Sequence, residues 1–200
     1  MSARGFTSPH GRSIDCRVSN EAPLCLFIDL PLSFILSPVA GGEGRARGNT
    51  NNVILEGKID VGVPASSVWD FLMDVNRFAS CVPGLEQVTQ IDERTFDGVV
   101  SAAVGPISGK FTFRSTILDS TPQSEMVVQT DGTDSVTRSA VGVKLTVTLN
   151  EAIENRTELS YHADITVKGR LAILGDMVLR ATGALMLEEF ARRLRTKLEE

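Results

Sequence analysis

Few residues of this sequence could do acid–base or nucleophilic chemistry, and their spacing does not support it. Beyond residue 50 the chain holds one histidine, His162, with Asp164 two positions on. A general base or metal ligand needs partners inside a cleft. In a strand, His162 points away from Tyr161 and Ile165 and so toward solvent. Asp74, Glu86, Asp92, Glu93 and Asp97 fall in or near loops, where carboxylates are ordinarily solvated. Cys81 could act as a nucleophile only beside a base, and its sequence neighbours offer none. It reads as a small buried apolar residue. The HExxH, GxSxG, P-loop and GxGxxG patterns are absent in any suitable context. Neither a catalytic residue nor a metal ligand is expected.

Composition narrows the classes further. Two hundred residues, 42% of them hydrophobic, suit a single domain with one good core. A formal charge of −5 and a pI near 5.2 argue against a nucleic-acid partner, which would require a basic face. One Trp and one Tyr give little material for base stacking. Cys16, Cys25 and Cys81 are odd in number and form no CxxC, so a reducing cytoplasm fits and a disulfide framework does not.

The first fifty residues differ in texture from the rest. An apolar run from Leu24 to Val39 carries Asp29 in its middle, is interrupted by Pro31 and Pro38, and is shorter than the ~20 residues that span a bilayer. A signal peptide cut near Ala40 fits poorly. Residues 1–51 therefore read as a disordered or adventitious extension, and residues 52–200 as the domain. The functional chain is expected to begin near Asn51 or Val53.

From Val53 the alternation of a half-buried strand sets in, with Val53, Leu55, Gly57, Ile59 and Val61 on one face. Pro64 then opens a helix that buries Val68, Trp69, Phe71 and Leu72, and a second short helix ends at Pro83-Gly84. Strand patterns follow over Leu85–Ile91, Phe96–Val104, Ile107–Leu118, Met126–Thr130, Val141–Leu149 and Leu159–Val167, with Asp131-Gly132 and Asn155 read as turns. Without βαβ alternation the sheet must be antiparallel and the fold α+β.

Arg170 to Leu198 contains no proline and is rich in Leu, Ala, Met, Glu and Arg, so it reads as one long helix lying across the sheet. Leu174, Val178, Ala181 and Leu185 stack on one face, which is expected to be buried. Leu187, Ala191, Leu194 and Leu198 form a second stripe about half a turn away, and the crossover near Gly183 predicts a kink or a change of packing partner. Phe111, Phe113, Val143, Leu145, Tyr161 and Ile165 would meet the first stripe. They form either a filled core or the wall of a pocket for a greasy ligand. The small residues among them (Gly98, Ala102, Gly109, Ala140, Ala163, Ala181, Ala184) suit a pocket. Phe111, Phe113, Leu145, Tyr161, Ile165, Leu174, Val178, Ala181 and Leu185 are the candidate lining.

Five stretches together resemble a known family: Leu55-Glu-Gly-Lys-Ile-Asp-Val61, Val68-Trp-Asp-Phe-Leu-Met-Asp74, Cys81-Val-Pro-Gly-Leu-Glu86, Val104-Gly-Pro-Ile-Ser-Gly-Lys-Phe111 and Gly169-Arg-Leu-Ala-Ile-Leu-Gly175. They are similar to the CoxG family of carbon monoxide dehydrogenase subunits, part of the START-like, polyketide-cyclase/Bet v 1-like superfamily, over about Val53 to Leu198. The resemblance implies a helix-grip fold, in which a curved sheet of about seven strands wraps a long C-terminal helix around a cavity. It also implies a non-enzymatic accessory role. Family members assist a molybdenum hydroxylase such as aerobic carbon monoxide dehydrogenase, through membrane recruitment or through a bound quinone that takes its electrons.

Menaquinone or ubiquinone is thus the implied ligand, in a cytoplasmic protein with a possible peripheral contact at the inner face of the membrane. An isoprenoid tail needs only apolar burial, at ~25 cal/mol per Å². Tyr161, Ser115 or Arg170 could reach the headgroup. Longer members carry a tail after the helix that serves in membrane attachment; here the sequence ends at Glu200, leaving the run from Leu24 to Val39 for that contact. Two other readings share the fold: a cyclase or dehydratase using Tyr161 or an acid at the cavity mouth, and an assembly factor with a filled core.

Overall fold

The computed structural model describes residues 49–199, apart from Gly105 and Glu154. The expectations for residues 1–48, including the run from Leu24 to Val39, lie outside the described residues. Strand β1 (Thr50–Val61) leads into two short helices, α1 (Ala65–Met73) and α2 (Val75–Cys81). Six strands follow: β2 (Leu85–Gln90), β3 (Thr95–Val104), β4 (Ile107–Thr121), β5 (Glu125–Asp134), β6 (Ser139–Ile153) and β7 (Arg156–Lys168). A 3-10 turn (Gly169–Leu174) then joins the terminal helix α3 (Asp176–Glu199). All seven strands form one antiparallel sheet in the order β1-β7-β6-β5-β4-β3-β2.

The α+β reading therefore holds, and the strand parities hold with it. Directly paired residues share a face. The register Val53–Ile165–Val143–Thr130–Ser115–Phe96 carries the inner face across six strands. Bulges at Leu85/Gln87, Ile117/Asp119 and Glu151/Ile153 bend the sheet. The second leaves Ile117 buried and Leu118 exposed.

Helix α3 is held to the edge of the sheet as well as to its face. Arg180 Nη1 donates to the Ile54 carbonyl (2.9 Å) and Arg195 Nε to the Asp60 carbonyl (3.1 Å). Asn51 Nδ2 reaches the Ala172 carbonyl (2.8 Å), and Glu199 Oε1 accepts from Gly62 N–H (3.2 Å). These bonds cover part of the row of backbone groups that β1, an edge strand, would otherwise present to another chain. A Cβ on Gly183 would lie 2.5 Å from Leu55 Cδ1, so the absent side chain is what lets α3 approach β1 so closely. The helix runs on through this glycine. The change of apolar stripe marks a change of packing partner.

Three expectations need correction. The terminal helix is broken at Gly175, whose φ is 80°, so Leu174 lies in the 3-10 turn rather than on α3. Asp131-Gly132 is no turn. Both residues lie inside β5, where Gly132 pairs with Phe113 and Val141, and ladders on both sides outweigh a local turn preference. The first helical stripe is not fully buried, since Val178 and Leu185 are half-buried and Ala181 is exposed. At 100° per residue Ala181 lies about 160° around the axis from Gly183, on the far side from Leu55.

Several acids with no chemistry to do are structural. Asp74 Oδ1 caps α2, accepting from Asn76 N–H (2.9 Å) and Arg77 N–H (3.2 Å). Asp97 forms a bidentate pair with Arg114, and Glu86 pairs with Lys110 and accepts from Ser101. Glu189 lies between Arg192 and Arg193 at 2.7 and 2.6 Å, and these hydrogen bonds hold its carboxyl down at about 2. The unfolded chain binds the proton more readily, so this contribution is present at neutral pH and fades between about pH 5 and 2. Glu189→Gln is expected to cost about 1 kcal/mol at pH 7, the scale of helix-surface ion pairs. In urea unfolding the gap from the parent protein should narrow as pH falls through that window; a constant gap would refute the assignment.

Candidate functional site

The inner face is not packed evenly. One buried cluster gathers Ile59, Val61, Val68, Phe71, Cys81, Val147, Leu149, Leu159, Ala191 and Leu194, where α1, α2 and the end of α3 meet the sheet. A second gathers Val104, Phe111, Val167, Leu171 and Ala172 at the opposite end, under the 3-10 turn. Phe113, Val128, Val143 and Leu185 belong to neither cluster and are half-buried. The helix-facing side of the sheet thus has two dry ends and a solvent-reached apolar stretch between them.

Small residues create that stretch in an unexpected way: they seat aromatic rings against the sheet. A Cβ on Gly98 would lie 2.5 Å from Phe113 Cζ, one on Gly109 2.9 Å from Phe111 Cε2, and one on Gly57 2.5 Å from Tyr161 Oη. The Phe113 and Tyr161 rings lie over glycines on neighbouring strands, and Phe111 over Gly109 of its own strand, which keeps all three close to the sheet. Ala140 faces outward by its parity with Val141, and Ala181 and Ala184 are exposed, so these three shape no pocket.

The candidate residues distribute accordingly. Phe111 is buried in the second cluster, with Ile165, Leu174 and Val178 packed against it. Leu145 and Tyr161 border the first. Phe113 and Leu185 lie in the gap, and Ala181 faces away. Leu179, Thr182 and Met186 of α3 are half-buried and lie within about 100° of the Leu55-facing side, to the same hand as Val178. Sequence reasoning missed them because it assigned the helix face by apolar spacing alone, and Thr182 breaks that spacing.

The polar atoms of the hollow are few. Ser115 Oγ and Thr130 Oγ1 lie 2.7 Å apart on adjacent inner-face positions, leaving hydroxyl capacity for a third partner. Tyr161 Oη makes no hydrogen bond among the described residues. Arg170 is exposed at the end of the sheet, away from this stretch. His162 is on the outer face, 3.4 Å from Glu56 and 3.6 Å from Asp164. Burial pushes the Cys81 thiol above its ordinary range, as expected of an inert packed cysteine. The described residues contain no group of His, Cys, Asp and Glu able to hold a metal ion.

The outer face carries a shallow recess of about 590 Å³, bordered by Gln87, Asp97, Thr112, Arg114 and Asp131. Its Arg114 is bound by Asp97, and it opens on the face of the sheet away from α3.

The Pro83-Gly84 stretch leads into β2 and the Pro106–Phe111 stretch into β4, on the half of the sheet far from β1. The profile of CoxG, a carbon monoxide dehydrogenase subunit, matches residues 57–199. The chain belongs to the CoxG family. No curated protein matches it closely enough to add to this assignment.

Solved structures share the architecture of this CoxG family member. A conserved protein from Geobacillus kaustophilus is 19% identical, covering 74% of this chain and 95% of its own, with a TM-score of 0.69. A START superfamily protein from Mycobacterium smegmatis is 12% identical over 73% and 97%, with a TM-score of 0.59. Zhui aromatase/cyclase from Streptomyces sp. R1128 is 16% identical over 74% and 94%, with a TM-score of 0.57. At these identities the likeness is one of fold alone.

Proposed function

We propose that the protein is a carrier of a lipophilic ligand, a respiratory quinone of the menaquinone or ubiquinone type, serving as the accessory of a molybdenum hydroxylase of the aerobic carbon monoxide dehydrogenase kind in the cytoplasm. The observation that carries the reading is the division of the inner face into two buried clusters with a half-buried apolar stretch between them. Left to water, that surface is unfavourable by ~25 cal/mol per Å², and an isoprenoid tail laid between Phe113, Val143 and Leu185 removes it. The quinone carbonyls accept hydrogen bonds, and the hydroxyls of Ser115, Thr130 and Tyr161 are the donors within the hollow. The family supplies the partner, and electron delivery to and from the quinone is the role that joins the two.

Native mass spectrometry with organic extraction of protein purified from its own host tests this directly. A co-purifying menaquinone or ubiquinone is the expected result. An empty protein that still co-purifies with a molybdenum hydroxylase would replace the carrier by an assembly factor. Tyr161→Phe removes one donor, worth about 1 kcal/mol, so quinone retention should fall severalfold without being lost. Turnover of a polyketide-like substrate that vanished in Tyr161→Phe would instead mark a cyclase.

A further inference from the structure

The half-buried stretch of the inner face carries one polar feature. Ser115 of β4 and Thr130 of β5 are directly paired, and their hydroxyl oxygens lie 2.7 Å apart. Phe96 and Val143 flank the pair along its row. Phe113 and Gly132 adjoin it toward the second buried cluster, Ile117 and Val128 toward the first. None of these six neighbours has a charged or polar side chain, so the two hydroxyls form an island in an apolar surface. Of their two protons, one lies between the oxygens, in either direction. The other is left to donate, and lone pairs on both oxygens are left to accept.

We infer that this pair makes the hollow a site for neutral headgroups, taken equally whether their oxygen accepts or donates a hydrogen bond. The selectivity rests on the carrier role proposed above. A quinone carbonyl takes the remaining proton. The O–H of the corresponding quinol donates to a lone pair once the two hydroxyls have rotated, so both oxidation states find one hydrogen bond at the same place. An anionic head finds no cation there, and taking its charge out of water costs more than a single hydroxyl returns. Fatty acids, whose tails suit the apolar stretch as well as an isoprenoid does, are therefore refused at the head.

Anaerobic calorimetric titration of the delipidated full chain at pH 7 tests it with four probes: decylubiquinone, its quinol, laurate and 1-dodecanol. Decylubiquinone and its quinol are expected to bind within about threefold of one another, since each makes one hydrogen bond to the pair. 1-Dodecanol should bind at least about tenfold more tightly than laurate, which has nearly the same tail and a charged head. S115A/T130V removes both hydroxyls at nearly constant shape. The two satisfy each other in the ligand-free protein, so the thermal midpoint should hold, whereas quinone and quinol should each lose about tenfold in affinity. Thr130→Ser keeps the hydroxyl and should bind both as the parent does. A loss confined to the quinone would mark a donor only and overturn the proposal. Laurate bound as tightly as 1-dodecanol would overturn it too. So would quinone and quinol affinities unmoved by S115A/T130V, a result that leaves the carrier role standing with its headgroup elsewhere. Binding of neither decylubiquinone nor its quinol would remove the carrier role itself, and this selectivity with it.

Discussion

Val143→Trp is expected to strip the protein of its quinone while leaving it folded. Val143 is half-buried on the inner face, paired with Thr130 on one side and Ile165 on the other, and belongs to neither buried cluster. An indole placed there occupies the stretch between them. Denying a ligand about 60 Å² of apolar contact costs about 1.5 kcal/mol, roughly tenfold in affinity. The same substitution in a solid interior would overpack it and cost about 1–3 kcal/mol of stability. The two measurements separate the readings: quinone extracted per mole of protein, and the thermal midpoint. A tenfold fall in quinone with an unmoved midpoint is the expected pair. Unchanged quinone, or a midpoint lowered by several degrees, would mean that the space is already filled.

Gly169→Ala should be among the most damaging conservative substitutions in the chain. Gly169 has a φ of 83°, where a side chain is strained, and a Cβ there would press into the Arg138 carbonyl and approach Ser139 Cα to 3.0 Å. Both neighbours are backbone, so nothing can swing aside, and the β5–β6 hairpin would have to part from the 3-10 turn. About 3 kcal/mol of stability should be lost. Gly175 provides the control. Its φ is 80°, but a Cβ there would meet nothing within 4 Å, so Gly175→Ala should show the conformational strain alone, about 1 kcal/mol. Equal losses in urea unfolding would show that the contact with Arg138 contributes nothing.

The strands were legible because alternation is a local signal. Every inner-face assignment made from parity, from Val53 through Phe111 and Leu145 to Ile165, agrees with the ladder register. His162 and Cys81 were legible for the same reason. Parity sent the histidine outward, and an apolar neighbourhood sent the cysteine inward. Asp131-Gly132 misled because the local turn preference is real, and only the strands on either side of it, more than ten residues away in the chain for β4, outweigh it.

The sequence alone determined the element order, the antiparallel sheet, the inward and outward faces and the family, since each depends on spacing within a short window or on motifs read in order. Tertiary structure decided what the hollow is made of. The rotation of α3 about its axis follows from Gly183 meeting Leu55, more than a hundred residues away, and this turns Ala181 out and Thr182 and Met186 in. The rings of Phe113 and Tyr161 lie down because Gly98 and Gly57 on neighbouring strands receive them. No short window of sequence contains both partners of such a contact, so the open stretch between the two clusters could not be read before the chain was folded.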